Sequence, residues 1–319
     1  MREEQGRFES AHGGAVAYTA WLPDDGATVR RVMQIVHGMA EHAGRYRHFA
    51  EFLTRQGFAV YANDHRGHGR SVLPGEPRGF FAKRDGWRVV VDDVREMSRI
   101  AKERHPGSPL FLLGHSMGSF IARSYAIRFG AELTGLLLSG TAGLPPWREK
   151  WAVLAIVRIC SAVWGIRTPC SFLHNHSLDT YNRPFVLPGS TSRYHWLSRD
   201  PAVAHGFDAD PLCGGVFPAA FFRDLADGML FMSDPAEVAK MPKDLPILFF
   251  SGDRDPIGRN GAGVREAYRL FLNTGMKDVT ITLYPGARHE PLNELDREKV
   301  FDDVLAWLDG QRPSRPSSS

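Results

Sequence analysis

The stretch Pro109-Leu-Phe-Leu-Leu-Gly-His-Ser-Met-Gly-Ser-Phe-Ile-Ala122 decides the fold. Pro109 to Leu113 is a short apolar run of the kind that forms a buried strand. Phe120 to Ile127 has helical spacing, and Gly114-x-Ser116-x-Gly118 lies between the two. With 32 glycines in 319 residues the five letters alone are weak evidence. Their setting is stronger, because strand, Gly-x-Ser-x-Gly and helix is the order a nucleophile elbow requires. Gly114 and Gly118 would let two backbones approach where no side chain fits. Ser116 would then stand at the sheet's edge, at the positive end of the following helix.

Upstream, Ala15 to Trp21 reads as an edge strand closed by the turn Pro23-Asp-Asp-Gly26. Val32 to Val36 is a second strand and delivers His37-Gly-Met-Ala-Glu-His42. A helix from about Tyr46 stops at Gly57, and the strand Phe58 to Ala62 ends in the polar, glycine-rich loop Asn63 to Ser71. Trp87, Val90, Val91, Val94, Met97 and Ile100 recur at three- and four-residue steps, an amphipathic helix. Downstream come strands at Leu136 to Leu138, Pro246 to Phe250 and Val279 to Leu283, with helices near 264–272 and 297–308. Apolar strands alternating with helices predict an α/β fold, a mainly parallel sheet covered on both faces. In such sheets the site lies beyond the carboxyl ends of the strands, where the polar loops sit.

Between 141 and 235 the alternation stops. This segment holds four of the seven tryptophans, Trp147, Trp151, Trp164 and Trp196. Trp147 to Trp164 reads as a helix apolar nearly all round, with Arg148, Glu149, Lys150 and Arg158 its only charges. The expected organisation is a core of residues 1–140 and 236–310, a helical cap inserted after the central strands at 141–235, and a disordered tail at 311–319. From Thr141 to Arg199 seven basic residues face two acidic ones, an excess of +5 against +3 for the whole chain. Basic charge beside aromatic and apolar residues is the signature of interfacial attachment, so the cap is expected to make peripheral membrane contact.

The mild total charge, with no basic run, argues against nucleic acid as a partner. Cys160, Cys170 and Cys213 have no Cys-x-x-Cys spacing, which fits a reducing compartment. No apolar signal region follows Met1 to Arg7, and no run is long enough to span a bilayer. A cytoplasmic protein is expected. No His-x-x-x-His or clustered ligand set implies a metal, and no cofactor is called for.

A serine needs a base to take its proton, and the base needs an acid to fix its tautomer. Ser251-Gly-Asp-Arg-Asp-Pro-Ile257 follows one late strand and Tyr284-Pro-Gly-Ala-Arg-His-Glu290 follows the next. His289 is the expected base. Asp253 and Asp255 are both candidates for the acid, with Asp255 favoured and a turn-capping role the alternative for Asp253. The oxyanion donors would be the amides of Met117, after the nucleophile, and of Met39, in the loop that Gly38 allows to turn.

These residues resemble the monoacylglycerol lipase and lysophospholipase branch of the α/β-hydrolases. The resemblance is carried by His37-Gly-Met-Ala-Glu-His-Ala-Gly-Arg-Tyr46, Asp64-His-Arg-Gly-His-Gly-Arg-Ser71, Leu112-Leu-Gly-His-Ser-Met-Gly118, Gly252-Asp-Arg-Asp-Pro-Ile257 and Tyr284-Pro-Gly-Ala-Arg-His289. It implies an α/β-hydrolase fold with the triad Ser116, Asp255 and His289 and the oxyanion hole Met39 and Met117. The spacing Gly-x-x-Asp selects Asp255 over Asp253, and the loop holding His65 and His68 is implied to be scaffold. The chain departs at Ser119, where the family often has glycine, and matches loosely in the cap apart from Trp196 to Pro201 and Asp210 to Gly214. The implied activity is cofactor-free hydrolysis of a small lipid ester through an acyl-enzyme. A general short-chain esterase, a peptidase or amidase on the same triad, and a silent binding protein on this fold are the alternatives.

Overall fold

The computed structural model describes residues 1–143, 159, 163 and 165–311. Eight strands form one sheet in the order β1-β2-β4-β3-β5-β6-β7-β8. They are β1 (Arg2–Glu9), β2 (Ala15–Leu22), β3 (Arg31–Val36), β4 (Phe58–Asn63), β5 (Leu110–His115), β6 (Gly135–Ser139), β7 (Ile247–Gly252) and β8 (Val279–Tyr284). From β4 to β8 every pairing is parallel, while β2 runs antiparallel to both β1 and β4. The expectation of an edge strand at Ala15 to Trp21 is therefore corrected. The edge is β1, whose Arg2-Glu-Glu-Gln-Gly-Arg-Phe-Glu9 is too polar for an apolar pattern, as suits a strand with one side open to water.

Side chains alternate across the strands, so each apolar run feeds two cores. Leu110, Leu112, Leu136 and Leu138 pack with α2 (Gly86–Arg104) and α3 (Met117–Phe129) on one face. Phe111, Leu113, Leu137 and Phe250 pack on the other with Phe49 and Leu53 of α1 (Arg47–Arg55) and with the C-terminal helix, through Val304 and Leu308. This double coverage explains why β5 has no polar position before His115 at its end.

Between β6 and β7 the described chain contributes three main helices, α4 (Ser171–Asn182), α5 (Pro201–Ala209) and α6 (Ala219–Ser233). Beyond β7 lie α7 (Ala262–Asn273) and α8 (Arg297–Gly310). The helix expected over Trp147 to Trp164 lies outside the described residues except for Ile159 and Val163, which are helical. The tail from 312 lies outside them as well. α6, grouped with the cap on sequence, leans on α2 and α3. A Cβ on its Gly228 would lie 2.0 Å from the Trp87 ring. The buried Arg123 of α3 donates to Ala142 O (2.9 Å) and to Met232 O (3.1 Å), tying together the places where the inserted chain leaves and rejoins. Burial pushes its guanidinium down to about 9.

The tightest contact is at Gly118, where a Cβ would lie 1.9 Å from Val36 O and 2.5 Å from His37 O. Gly118→Ala should therefore destabilise the protein by about 3 kcal/mol or more, because backbone on both sides leaves nothing to yield. Gly206, inside α5 with nothing within 4 Å of its Cβ position, is the control. Gly206→Ala should be neutral or stabilising by roughly 0.5–1 kcal/mol. Equal denaturant midpoints for the two variants would contradict this account of the packing.

Candidate active site

β5 ends at His115, and Ser116 caps α3 with φ 53 and ψ −123, a conformation rare for any residue with a side chain. The turn closes through Ser116 N–H to Ser139 O (2.9 Å) and Ser119 N–H to Ser116 O (2.8 Å). Ser119, where a glycine was the commoner choice, also donates its hydroxyl to Ser116 O (2.6 Å) and so braces the strained residue. A Cβ on Gly114 would lie 2.4 Å from Gly118 O, so both glycines are required by backbone approach.

Ser116, Met39 and His289 line one cavity with Gly38, His115 and Trp196. The cavity spans about 670 Å³ when the open solvent at its mouth is included. His289 is buried, and its Nδ1 lies 2.9 Å from Asp255 Oδ1. Asp255 is fully buried, and it also accepts from Ser251 Oγ (2.8 Å) and Ile257 N–H (2.9 Å). Asp253 points elsewhere and accepts from Gly286 N–H (2.7 Å), a turn contact. His289 Nε2 has no hydrogen-bond partner among the described residues, so it is open to a proton from the cavity. Burial lowers the imidazole pKa, but the Asp255 charge and hydrogen bond outweigh it, and Glu290 and Glu41 add to them. The net shift is upward.

The other buried histidines move the opposite way. Burial and the neighbouring histidines push His37 well below its ordinary value and His65 to about 3, and burial pushes His68 to about 4. Neutral, they act as struts: His37 Nε2 accepts from His65 N–H (2.9 Å), and His65 Nε2 donates to His37 O (3.0 Å). Asp64 holds Ala43 N–H (2.9 Å) and Arg70 N–H (2.8 Å), so this loop builds the floor beneath the site.

Residues without an assigned role in the sequence reading complete the arrangement. Arg45 Nη1 donates to Glu41 Oε2 (2.7 Å) and Glu290 Oε1 (2.6 Å), and Nη2 to Glu290 Oε2 (2.8 Å). Glu41 Oε1 accepts from Gly38 N–H (2.5 Å) and the Tyr46 hydroxyl (2.8 Å). The loop carrying Met39 is thereby tied to the loop carrying His289. Burial alone would raise the Glu290 carboxyl, yet Arg45 holds it below the usual range. The available signals were the i, i+4 spacing of Glu41 and Arg45 and the position of Glu290 beside His289. Met117 begins α3 with its side chain in the core, so only its backbone is at the elbow.

Among the described residues, His42, Asp210 and Cys213 bring one potential metal ligand each within 4.8 Å of one another. The donors do not suit an ion. His42 Nδ1 accepts from Gly44 N–H (3.2 Å), which leaves the proton on Nε2, aimed at Asp210 Oδ2 (2.9 Å). Burial pushes the Cys213 thiol far up, away from the thiolate a metal would need.

The serine aminopeptidase, S33, family matches residues 27–296. A monoacylglycerol lipase of Mycolicibacterium smegmatis is 33% identical over 305 residues, covering 94% of this chain and 95% of its own. A Homo sapiens monoglyceride lipase is 28% identical, covering 90% of this chain and 84% of its own. Among solved structures, a thermostable carboxyl esterase of Bacillus coagulans in complex with glycerol superimposes with TM-score 0.87 at 29% identity. That match covers 98% of this chain and 99% of the esterase.

The geometry predicts a titration. Asp255→Asn should drop the His289 pKa below its ordinary value, since burial remains while the opposing charge goes. Asp253→Asn should leave it in place. Imidazole NMR across pH measures both, and the reverse ranking would move the orienting role to Asp253.

Proposed function

The chain belongs to the serine aminopeptidase, S33, family of α/β-hydrolases, and on that premise we propose that it hydrolyses lipid carboxylic esters of the monoacylglycerol or lysophospholipid kind. One observation carries the reading: a strained, positive-φ serine opens onto the same cavity as a histidine held by a buried aspartate. Ser116 Oγ attacks the ester carbonyl as His289 Nε2 takes its proton, and Asp255 holds the imidazole. The Met39 and Met117 amides receive the oxyanion. The alcohol leaves with the proton from His289, and water frees the acid by the same route. The wall facing Ser116 supports an acyl chain, being built from Tyr181, Tyr194, Leu197, Phe207, Phe222 and Ile257. The names of the Mycolicibacterium and human relatives support the same substrate class.

The family's description favours a second reading, a peptidase or amidase on the same groups. A p-nitrophenyl ester series from C2 to C16, run beside aminoacyl anilides, separates the two. Ester turnover should exceed anilide turnover, and Ser116→Ala should lower it by about 10⁴-fold or more with the fold intact. Full activity in that variant would remove Ser116 from the chemistry, and faster anilide cleavage would favour the second reading.

The described residues between β6 and α6 that line this cavity, among them Tyr181, Tyr194, Trp196 and Phe207, act as its cap, with α6 belonging to the core it packs on. Among the described residues no helix is long and apolar enough to cross a membrane. Peripheral contact through the cap is supported by exposed apolar side chains, including Ile159 (58%) and Val163 (64%), four positions apart in sequence. Charge supports it less than composition implies. Arg167 is paired with Glu76 (2.6 Å), and Arg199 with Glu294 (2.8 Å) and Asp296 (2.5 Å). Binding should therefore rest mainly on apolar contact, with a modest preference for anionic liposomes that salt removes. Ile159→Ser with Val163→Ser should weaken co-sedimentation and spare hydrolysis of a short soluble ester. Equal sedimentation with and without liposomes would reduce the cap to a plain lid.

A further inference from the structure

The cap reaches the base directly. His289 N–H donates to Trp196 O (3.4 Å) and Glu290 N–H to Leu197 O (2.8 Å), so residues 196–197 are tied to the loop of the histidine. The indole of Trp196 lies 5.0 Å from the His289 ring, centroid to centroid, with 39° between the planes. That is nearer to stacked than to edge-on and within the reach of a cation–π contact. His115 is the other aromatic neighbour at 4.8 Å. Burial and the proximity of His289 push its pKa down to about 4, so it stays neutral and adds no charge.

In the reaction, the Ser116 Oγ–carbon bond forms as the carbonyl electron pair moves to oxygen and the hydroxyl proton passes to His289 Nε2. The imidazole then carries a positive charge in a buried site until the proton passes to the leaving oxygen. Asp255 meets that charge at the ring edge. We propose that Trp196 is a positioning residue that meets it at the ring face, holding His289 in place and stabilising the imidazolium. The inference rests on the assignment of Ser116 and His289 above.

Packing alone would not call for this residue. Trp196 is 7% exposed, and its Nε1 has no hydrogen-bond partner among the described residues. A phenylalanine would fill much of the same wall without burying an unpaired donor. What tryptophan adds is the strongest π-face among the side chains.

Trp196→Phe and Trp196→Leu, assayed on a short soluble p-nitrophenyl ester across pH, test the role. Both keep the site apolar, but only phenylalanine keeps a π-face. The charged and titratable groups facing His289 are Asp255, His115, Glu41 and Glu290, with Arg45 behind them, and these are common to all variants. The leucine variant should lose roughly 10–30-fold in kcat with KM little changed, and the phenylalanine variant only a few-fold. The acid limb of kcat/KM, which reports the free enzyme's base, should move down by on the order of one pH unit in the leucine variant and by less in the phenylalanine variant. Equal kcat in the two variants, or an acid limb that stays or moves up, would overturn the proposal. If the leucine variant does not fold, Trp196→Met supplies the same comparison. Fluorophosphonate labelling of the wild type, lost in Ser116→Ala, guards the parent assignment. Absent labelling refutes that assignment, whereas intact labelling with a flat ranking refutes only the role of Trp196.

Discussion

The structure depends on one steric constraint, the contact between the first turn of α3 and the end of β3. The Gly118 backbone leaves no room for even a methyl group against Val36 O and His37 O. Because the helix starts so close, Ser116 is forced to φ 53 and its side chain faces the loop that begins at Gly38. A Cβ on Gly38 would lie 3.1 Å from Ser116 Cβ, so Ser116 and the loop that begins at Gly38 meet without spacer atoms. Strain of this kind persists only where the surroundings over-determine it. Here β5 is buried on both faces and hydrogen-bonded on both sides, by β3 and by β6.

Electrostatics then separate one histidine from its neighbours. His37, His65 and His68 are buried against one another and His115 is buried beside His289, all held neutral, while His289, equally buried, is shifted upward. The difference is Asp255, a carboxylate in direct hydrogen bond with the ring. Environments that push similar groups apart are how one site assigns different roles to the same residue type. The Arg45 bridge serves the same end by geometry. Removing one member of a buried ionic set leaves an unpaired charge at a cost of about 3–5 kcal/mol, so the Met39 and His289 loops are held in register.

Much of this was legible in the sequence. β5, β6 and β7 were readable because burial on both faces writes a nearly unbroken apolar run. β8 was readable from its β-branched residues although it is a half-buried edge strand, and the elbow because glycine is forced on both sides of Ser116. The choice between Asp253 and Asp255 was not readable from local sequence, since it depends on which side chain the β7 turn aims at β8's loop. Strand β1 was hidden by its charged composition, since an edge strand takes its order from β2 rather than from burial. The link from Glu41 through Arg45 to Glu290 spans the 245 positions between Arg45 and Glu290, a distance no periodicity reports. The +5 charge of the cap segment overstated its free charge, because partners such as Glu76 and Glu294 come from the core.

In the proposed reaction Ser116 carries the acyl group between the two halves of turnover. Rapid quenching during ester turnover, followed by peptide mapping of the intact protein by mass spectrometry, tests it most directly. One acyl adduct per chain is expected on the peptide containing Ser116, formed with a burst of alcohol before steady state. An adduct on any other residue, or burst-free turnover with no adduct, would contradict it.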